Sequence, residues 1–355
     1  MTAPTTDSAM YRTIQRQPDD LRRLLTEGWG PAQDAANRLA PAHRVFLVGI
    51  GTSYHAALVG SWLLRAAGSD ARAVNSFDFA SYPESFPLRP DDAVVVMAHS
   101  GVKRFSSAAM TRARAAGVPV LSVGSLTAEH PDSQLVLRTV EREKSAAFTA
   151  SHLAAMTVLA QIATELGKQR AAVGVAGFRE ALAALPDQVA GVLAREAKIE
   201  PIAQEAIGRQ VYAAGAGPNE ATATEAVIKV REAAYGRIDA LPVEQFLHGP
   251  LVTVNAGDLA ILVNVPGAAA ERVAEVAAVI AAIGAPLWLV GQGVSAAPAA
   301  TVFALPALPE LLSPLLAVVP MQLLAYQMAA LKGINPDTFR RDNPTYAAAF
   351  GLIKL

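Results

Sequence analysis

The sequence predicts an α/β protein built from two tandem doubly wound parallel-sheet domains. Short β-rich apolar runs alternate with amphipathic helical stretches, and the runs end at glycine turns. The pattern then repeats: Gly215 follows Gly49 by 166 residues, Asp258 follows Asp92 by 166, and Gly284 follows Gly117 by 167. Landmarks at nearly one offset mark two copies of one unit. Right-handed crossovers between strands and helices of this length imply parallel sheets with helices on both faces. Ligands of such sheets bind at the loops beyond the carboxyl ends of the strands.

With 355 residues the chain is long enough for two sizeable cores. The spacing sets an N-terminal helical arm at 1–40, a first domain at 41–190, a second at 191–340 and a tail at 341–355. Hydrophobic residues make up 52% and charged ones 17%, the balance of a packed globular protein. A formal net charge of −1 with no stripe of Lys or Arg argues against nucleic acid or an anionic membrane as partner. The absence of cysteine excludes disulfides, thiolate metal sites and cysteine nucleophiles. The polar N-terminus lacks the order of a signal peptide, and its first residues are expected to fray. Leu259–Val265 is too short to span a bilayer and Leu311–Leu331 is interrupted by Pro314 and Pro320, so a soluble cytoplasmic protein is expected.

From Gln17 to Ala40 the apolar spacing predicts one or two short helices ended at Pro41. The run RVFLVGIGTSYHAALVGSWLLRAAG reads as strand, glycine turn and helix. Ala93–Ala98 is a further strand leading through His99-Ser100-Gly101 into a helix at Ser106–Ala116. Pro119–Val123 and Gln134–Val140 are strands, Glu143–Gly167 a long helix, and an Ala-rich helical stretch runs on to about Ala197. The second copy restarts at VYAAGAGPNEATATEAVIKVREAAY.

Within that second copy Glu225, Lys229 and Glu232 fall within roughly 60° of one another on a helix, with Val227, Ile228, Val230 and Ala233 on its other sides. His248 follows on a turn closed by Gly249-Pro250. Such a stripe reads two ways. It is a set of proton-handling groups lining a cleft, or a solvated salt-bridge face of the kind that Glu and Lys four residues apart form on helix surfaces.

The first copy offers two loops for an anion. Gly49-Ile50-Gly51-Thr52-Ser53 follows a strand and opens a helix, where backbone N–H groups, the helix dipole and two hydroxyls favour negative charge. His99-Ser100-Gly101-Val102-Lys103-Arg104 adds a hydroxyl, two cations and another helix start. A dinucleotide fingerprint is incomplete, because Tyr54 takes the place of its third glycine and no acidic residue closes the second strand near Val74. The equivalent loops of the second copy, around Gly215-Ala216-Gly217 and Val265-Pro266-Gly267, lack the hydroxyls and cations. The copies divide the work: the first holds phosphate and the second handles protons.

GIGTS after the first strand, HSG after a later one, and E-x3-K-x2-E-x15-HGP in the second copy together resemble the tandem sugar isomerase (SIS) domains of phosphosugar enzymes, a flavodoxin-like fold. The resemblance runs from about Arg44 to Arg340 and is strongest to the isomerase half of glucosamine-6-phosphate synthase, with aminosugar-phosphate deaminases and fructosamine-phosphate deglycases as relatives. It implies that Glu232 is the base moving a proton between C1 and C2 of an opened sugar, that Glu225 and Lys229 support it, and that His248 serves ring opening. It further implies phosphate contacts from Thr52, Ser53 and Ser100, and Gly51, His99, Lys103 and Ser145 are further candidates for phosphate or sugar contacts. In that family the histidine enters the neighbouring subunit's site, so a homodimer with composite sites is implied.

Departures from the family accompany these matches. Ala98 and Lys103 stand where serine and threonine are usual, Lys103 acting as a point charge. Glu143 precedes the Lys144-Ser145-Ala146-Ala147-Phe148-Thr149 segment and would change polarity near the sugar. The synthase's tail lysine falls at Pro344, with Lys354 as a possible substitute. Glutamine-dependent synthesis is not expected without a cysteine. The chemistry expected is isomerisation or deamination of a sugar phosphate or aminosugar phosphate, needing neither metal nor redox cofactor. Deglycation, non-catalytic phosphosugar sensing and a nicotinamide-dependent reaction are the alternatives.

Overall fold

A computed structural model describes the protein at residues 7–101, 103–293 and 300–353, so Val102 and Lys354 of the sequence argument lie outside the described residues. The chain divides into two compact units. The first comprises Arg16–Glu143, Phe148–Pro186 and Arg341–Leu355, and the second Met1–Gln15, Lys144–Ala147 and Asp187–Arg340.

Helices α1 (Ala9–Glu27) and α2 (Trp29–Leu39) open the chain. Helix α1 starts eight residues before the expected Gln17. Its first N–H groups, those of Ala9 and Met10, donate to the Asp337 carboxylate at 2.7 and 2.9 Å, a cap that comes from the far end of the second unit's sequence.

In the first unit β1 (Arg44–Gly49), α3 (Thr52–Ala66), β2 (Asp70–Asn75), α4 (Ser76–Ser81), β3 (Asp92–Met97), α5 (Arg104–Ala115), β4 (Val120–Gly124), β5 (Leu135–Arg138) and α6 (Ala150–Gln169) follow in turn. Helix α7 (Phe178–Leu193) leads out of it. The sheet is parallel with strand order β2-β1-β3-β4-β5. Val45–Val48 and Ala93–Met97 are buried, as central parallel strands covered on both faces must be. At the amino edge of the sheet Arg44 sits opposite Asp92 and grips its carboxylate with bonds of 2.9 and 2.6 Å.

The long helix expected over Glu143–Gly167 is shorter at its start: α6 begins at Ala150. Residues 143–149 instead loop back so that the Glu143 carboxylate accepts the N–H groups of Thr149 (2.9 Å) and Ser151 (2.8 Å). A continuous helix would carry Glu143 away from the groups it caps.

The second unit repeats the plan. It contains α8 (Glu200–Ala206), β6 (Gln210–Gly215), α9 (Glu220–Ala234), β7 (Arg237–Pro242), α10 (Val243–Leu247), β8 (Leu259–Asn264), α11 (Ala270–Ile283), β9 (Leu287–Gly291), β10 (Ala300–Ala304) and α12 (Pro314–Leu331). Its parallel sheet runs β7-β6-β8-β9-β10, the same order as the first counted within the unit. A short helix, α13 (Pro344–Phe350), closes the chain within the first unit.

Prolines 314 and 320 do not interrupt α12. Pro314 occupies the first turn, where its missing N–H costs nothing, and Pro320 is accommodated inside the helix. Among the described residues Glu310–Leu331 is long and apolar enough to cross a membrane, but 83% of its most apolar window is buried inside the protein, where it packs against α8 and α9 as a core helix.

The first turn of each unit is built alike. A Cβ on Gly49 would lie 2.4 Å from the Ser53 carbonyl oxygen, and one on Gly215 would lie 2.2 Å from that of Asn219. The close approach folds the chain directly from strand into helix, with Gly51 and Gly217 at φ 57° and 56°.

Candidate functional site

Helix α9 carries the ionic stripe, and the structure inverts the expected burial. Glu225 and Lys229 are 0% exposed, whereas Val227 and Ile228 on the supposed core side are only partly buried. Lys229 Nζ lies 3.5 Å from Glu225 Oε1 and 2.6 Å from Glu232 Oε2. A buried ammonium is stable only with ionic and hydrogen-bonding partners, and here two carboxylates share one lysine. The solvated salt-bridge reading therefore does not describe this helix. Of the trio only Glu232 reaches the surface, its side chain 25% exposed. Its carboxylate is held by the ion pair to Lys229.

The C-terminus of α9 is secured by cations, as a helix dipole favours. Lys332 donates to the Ala234 carbonyl, and Arg340 lies over the ring of Tyr235 at 4.9 Å. Tyr235 itself takes the left-handed cap conformation with φ 52°.

His248 is not brought to this trio. It follows α10 with its side chain 74% exposed, and its charged neighbour is Glu244, at 3.4 Å. Arg272 grips Glu244 in turn and draws the Glu244 carboxyl below its usual pKa.

In the first unit the two loops lie at the carboxyl ends of adjacent strands β1 and β3. Thr52 and Ser53 are half-buried at the start of α3, Ser100 is half-buried, and Lys103 and Arg104 are exposed at the start of α5. Behind the loops a cavity of about 20 Å³, room for about one water, is lined by Thr52, Ser53, His99, Thr139, Ser151 and His152. His99 Nε2 accepts the Glu143 N–H at 3.3 Å, which leaves the proton on Nδ1, and that buried Nδ1 has no hydrogen-bond partner among the described residues. Burial, aided by the charge of Arg142, pushes the His99 pKa down to about 4, so the ring is neutral near pH 7.

Ser145 belongs to the second unit. It is buried and its Oγ accepts the Ala147 N–H at 3.2 Å, closing a turn within the second unit. Glu143, expected to alter polarity near a sugar, spends its carboxylate on the N-terminus of α6. His152 lines the cavity and was not anticipated, because a histidine on an apolar helix is by sequence alone an ordinary core residue.

Comparison with known proteins places this geometry. Residues 38–165 match the SIS domain family. Over 334 residues the chain is 30% identical to the isomerizing glutamine–fructose-6-phosphate aminotransferase of Pyrococcus horikoshii, covering 92% of this chain and 56% of that protein. The chain thus spans about half the length of the curated relatives it matches. In fold it resembles the C-terminal domain of glucosamine-fructose-6-phosphate aminotransferase from Francisella tularensis, with a TM-score of 0.85, 18% identity, and coverage of 93% of this chain and 98% of that one. It also resembles glucosamine-6-phosphate deaminase from Thermotoga maritima, with a TM-score of 0.77, 20% identity, and coverage of 93% and 97%. Repeat and sheet order agree with that match: residues 38–165 carry the SIS domain likeness, and the second unit repeats the sheet order of the first.

Proposed function

We propose that this chain is a phosphosugar enzyme, an aldose–ketose isomerase or aminosugar-phosphate isomerase/deaminase, in which Glu232 shuttles a proton between C1 and C2 of an open-chain sugar. The observation that carries the reading is the buried Glu225-Lys229-Glu232 set whose single accessible member is a carboxylate. The ion pair with Lys229 orients Glu232, which a general base requires. Glu225 balances the lysine from inside.

Thr52, Ser53 and Ser100, with the N-terminus of α3, hold the phosphate, and His99 contributes a neutral N–H donor behind them. His248, exposed and paired among the described residues with Glu244, serves the partner subunit's site in a homodimer. The names of the relatives, one isomerizing aminotransferase and one aminosugar-phosphate deaminase, support the substrate class.

The test is to incubate the protein with fructose 6-phosphate or glucosamine 6-phosphate in deuterated water and follow C1 and C2 by NMR. Deuterium incorporation at C1 or C2 supports the proposal. Saturable binding without incorporation favours a phosphosugar sensor and contradicts it.

A further inference from the structure

Beneath the loop that follows β3 lies a histidine that the proposed chemistry does not use. His130 comes from the turn between β4 and β5 and is 5% exposed. Its Nε2 lies 3.0 Å from the Ala98 carbonyl oxygen and its Nδ1 lies 2.6 Å from Ser122 Oγ. A carbonyl oxygen only accepts, so Nε2 carries the proton. Burial depresses the pKa of the ring and keeps it neutral, so Nδ1 accepts from the Ser122 hydroxyl.

The Ala98 carbonyl has a second donor, the Gly101 N–H at 3.1 Å, which closes the turn through His99 and Ser100. One carbonyl oxygen therefore fixes the loop twice, once through its own turn and once through His130. The ring also fills the space beneath the glycines around it. A Cβ on Gly101 would stand 3.0 Å from His130 Cδ2, and one on Gly124 would stand 2.7 Å from Cε1. Ser122 lies on β4, so the ring couples the loop to the middle of the sheet.

We propose that His130 is a positioning residue of the anion loop, its Nε2–H locking the Ala98 carbonyl so that the turn carrying the Ser100 hydroxyl is preset for a phosphate. This rests on the reading that the Ser100 loop holds the ligand's phosphate. Preset donors bind more tightly because they lose little freedom on binding. The histidine touches no ligand.

The two amide isosteres of histidine separate its nitrogens. His130→Gln places an N–H near the Nε2 position and keeps the bond to Ala98, whereas His130→Asn reaches only the Nδ1 side. Fructose 6-phosphate affinity, measured by calorimetry on the full chain, should fall about tenfold in His130→Asn and stay within about threefold in His130→Gln. The Gly101 amide, followed by hydrogen exchange without ligand, should exchange faster in the Asn variant than in the Gln variant. Equal behaviour of the two variants in amide exchange would overturn the assignment, whatever they do to thermal stability. If the unaltered protein binds no sugar phosphate, the phosphate reading fails, while the exchange comparison still decides whether His130 positions the loop.

Discussion

The two α/β units share strand order, glycine turns and landmark spacing, yet corresponding positions are filled with opposite chemistry. Glu225, Lys229 and Glu232 on α9 correspond, 166 residues earlier, to Val59, Leu63 and Ala66 on α3. Val59 and Leu63 are as buried as Glu225 and Lys229. These two buried helix positions thus accept aliphatic side chains in one unit and an ion pair, the costlier choice, in the other.

The loops differ in the reverse sense. In the first unit Gly101 is backed by the neutral ring of His130. In the second, a Cβ on the corresponding Gly267 would fall 2.2 Å from the Glu310 carboxylate, which also takes the Ala268 N–H at 3.4 Å. Asn219, the counterpart of Ser53, is likewise engaged, donating to Ser313 Oγ at 2.8 Å and accepting from Thr222 at 3.0 Å. In the second unit the side chains of Glu310, Ser313 and Thr222 engage both loops. Two frames of one topology thus carry different side chains at matching positions.

The largest effect should come from breaking the ion set unevenly. Lys229→Leu leaves Glu225 buried without its cation and should cost about 3–5 kcal/mol in urea unfolding. Restoring the first unit's pattern with Glu225→Val, Lys229→Leu and Glu232→Ala together should recover that loss, or exceed the original stability by about 1–4 kcal/mol, while abolishing turnover. A triple variant as unstable as the single one would mean that the helix positions are not equivalent.

Next come the loops. Ser100→Ala should weaken fructose 6-phosphate binding about tenfold through loss of a charge-assisted hydrogen bond. Asn219→Ala, aimed at the closed second-unit loop, should leave affinity unchanged and cost about 1–3 kcal/mol of stability. Calorimetric titration and denaturation of both variants check the contrast.

The smallest effect is in pH. His99 in the folded protein titrates at about 4, below its ordinary value of 6.5, and its second-unit counterpart Val265 does not titrate. The unfolded chain therefore binds the extra proton first as pH falls. The stability contribution is present above pH 6.5 and is lost as pH falls toward 4, at no more than about 1.4 kcal/mol per pH unit. Melting temperature against pH should be flatter in His99→Gln over this range.

Much of the fold was legible because alternation, glycine turns and a repeated offset are local signals that two sheets of one topology reproduce. Helix starts were not. Helix α1 begins early because Asp337 caps it from more than three hundred residues away, and α6 begins late because Glu143 turns back onto it. Pro320 reads as an interruption in sequence, but burial of the surrounding helix overrides it. The spacing of the Glu-Lys-Glu stripe was readable and its burial was not, since the same spacing serves solvated helices equally well. His130 left no signal, because its role depends on a carbonyl that only the folded loop presents.

The central claim is that Glu232 is the base of the proposed reaction. The direct test is Glu232→Gln, which keeps shape and the contact with Lys229 while removing basicity. Exchange of C1 and C2 hydrogens with deuterated water and fructose 6-phosphate affinity are measured on the same sample. Exchange falling by at least about a hundredfold, with affinity within about threefold of the unaltered protein, is the predicted result. Exchange at the original rate would remove Glu232 from the chemistry and contradict the account.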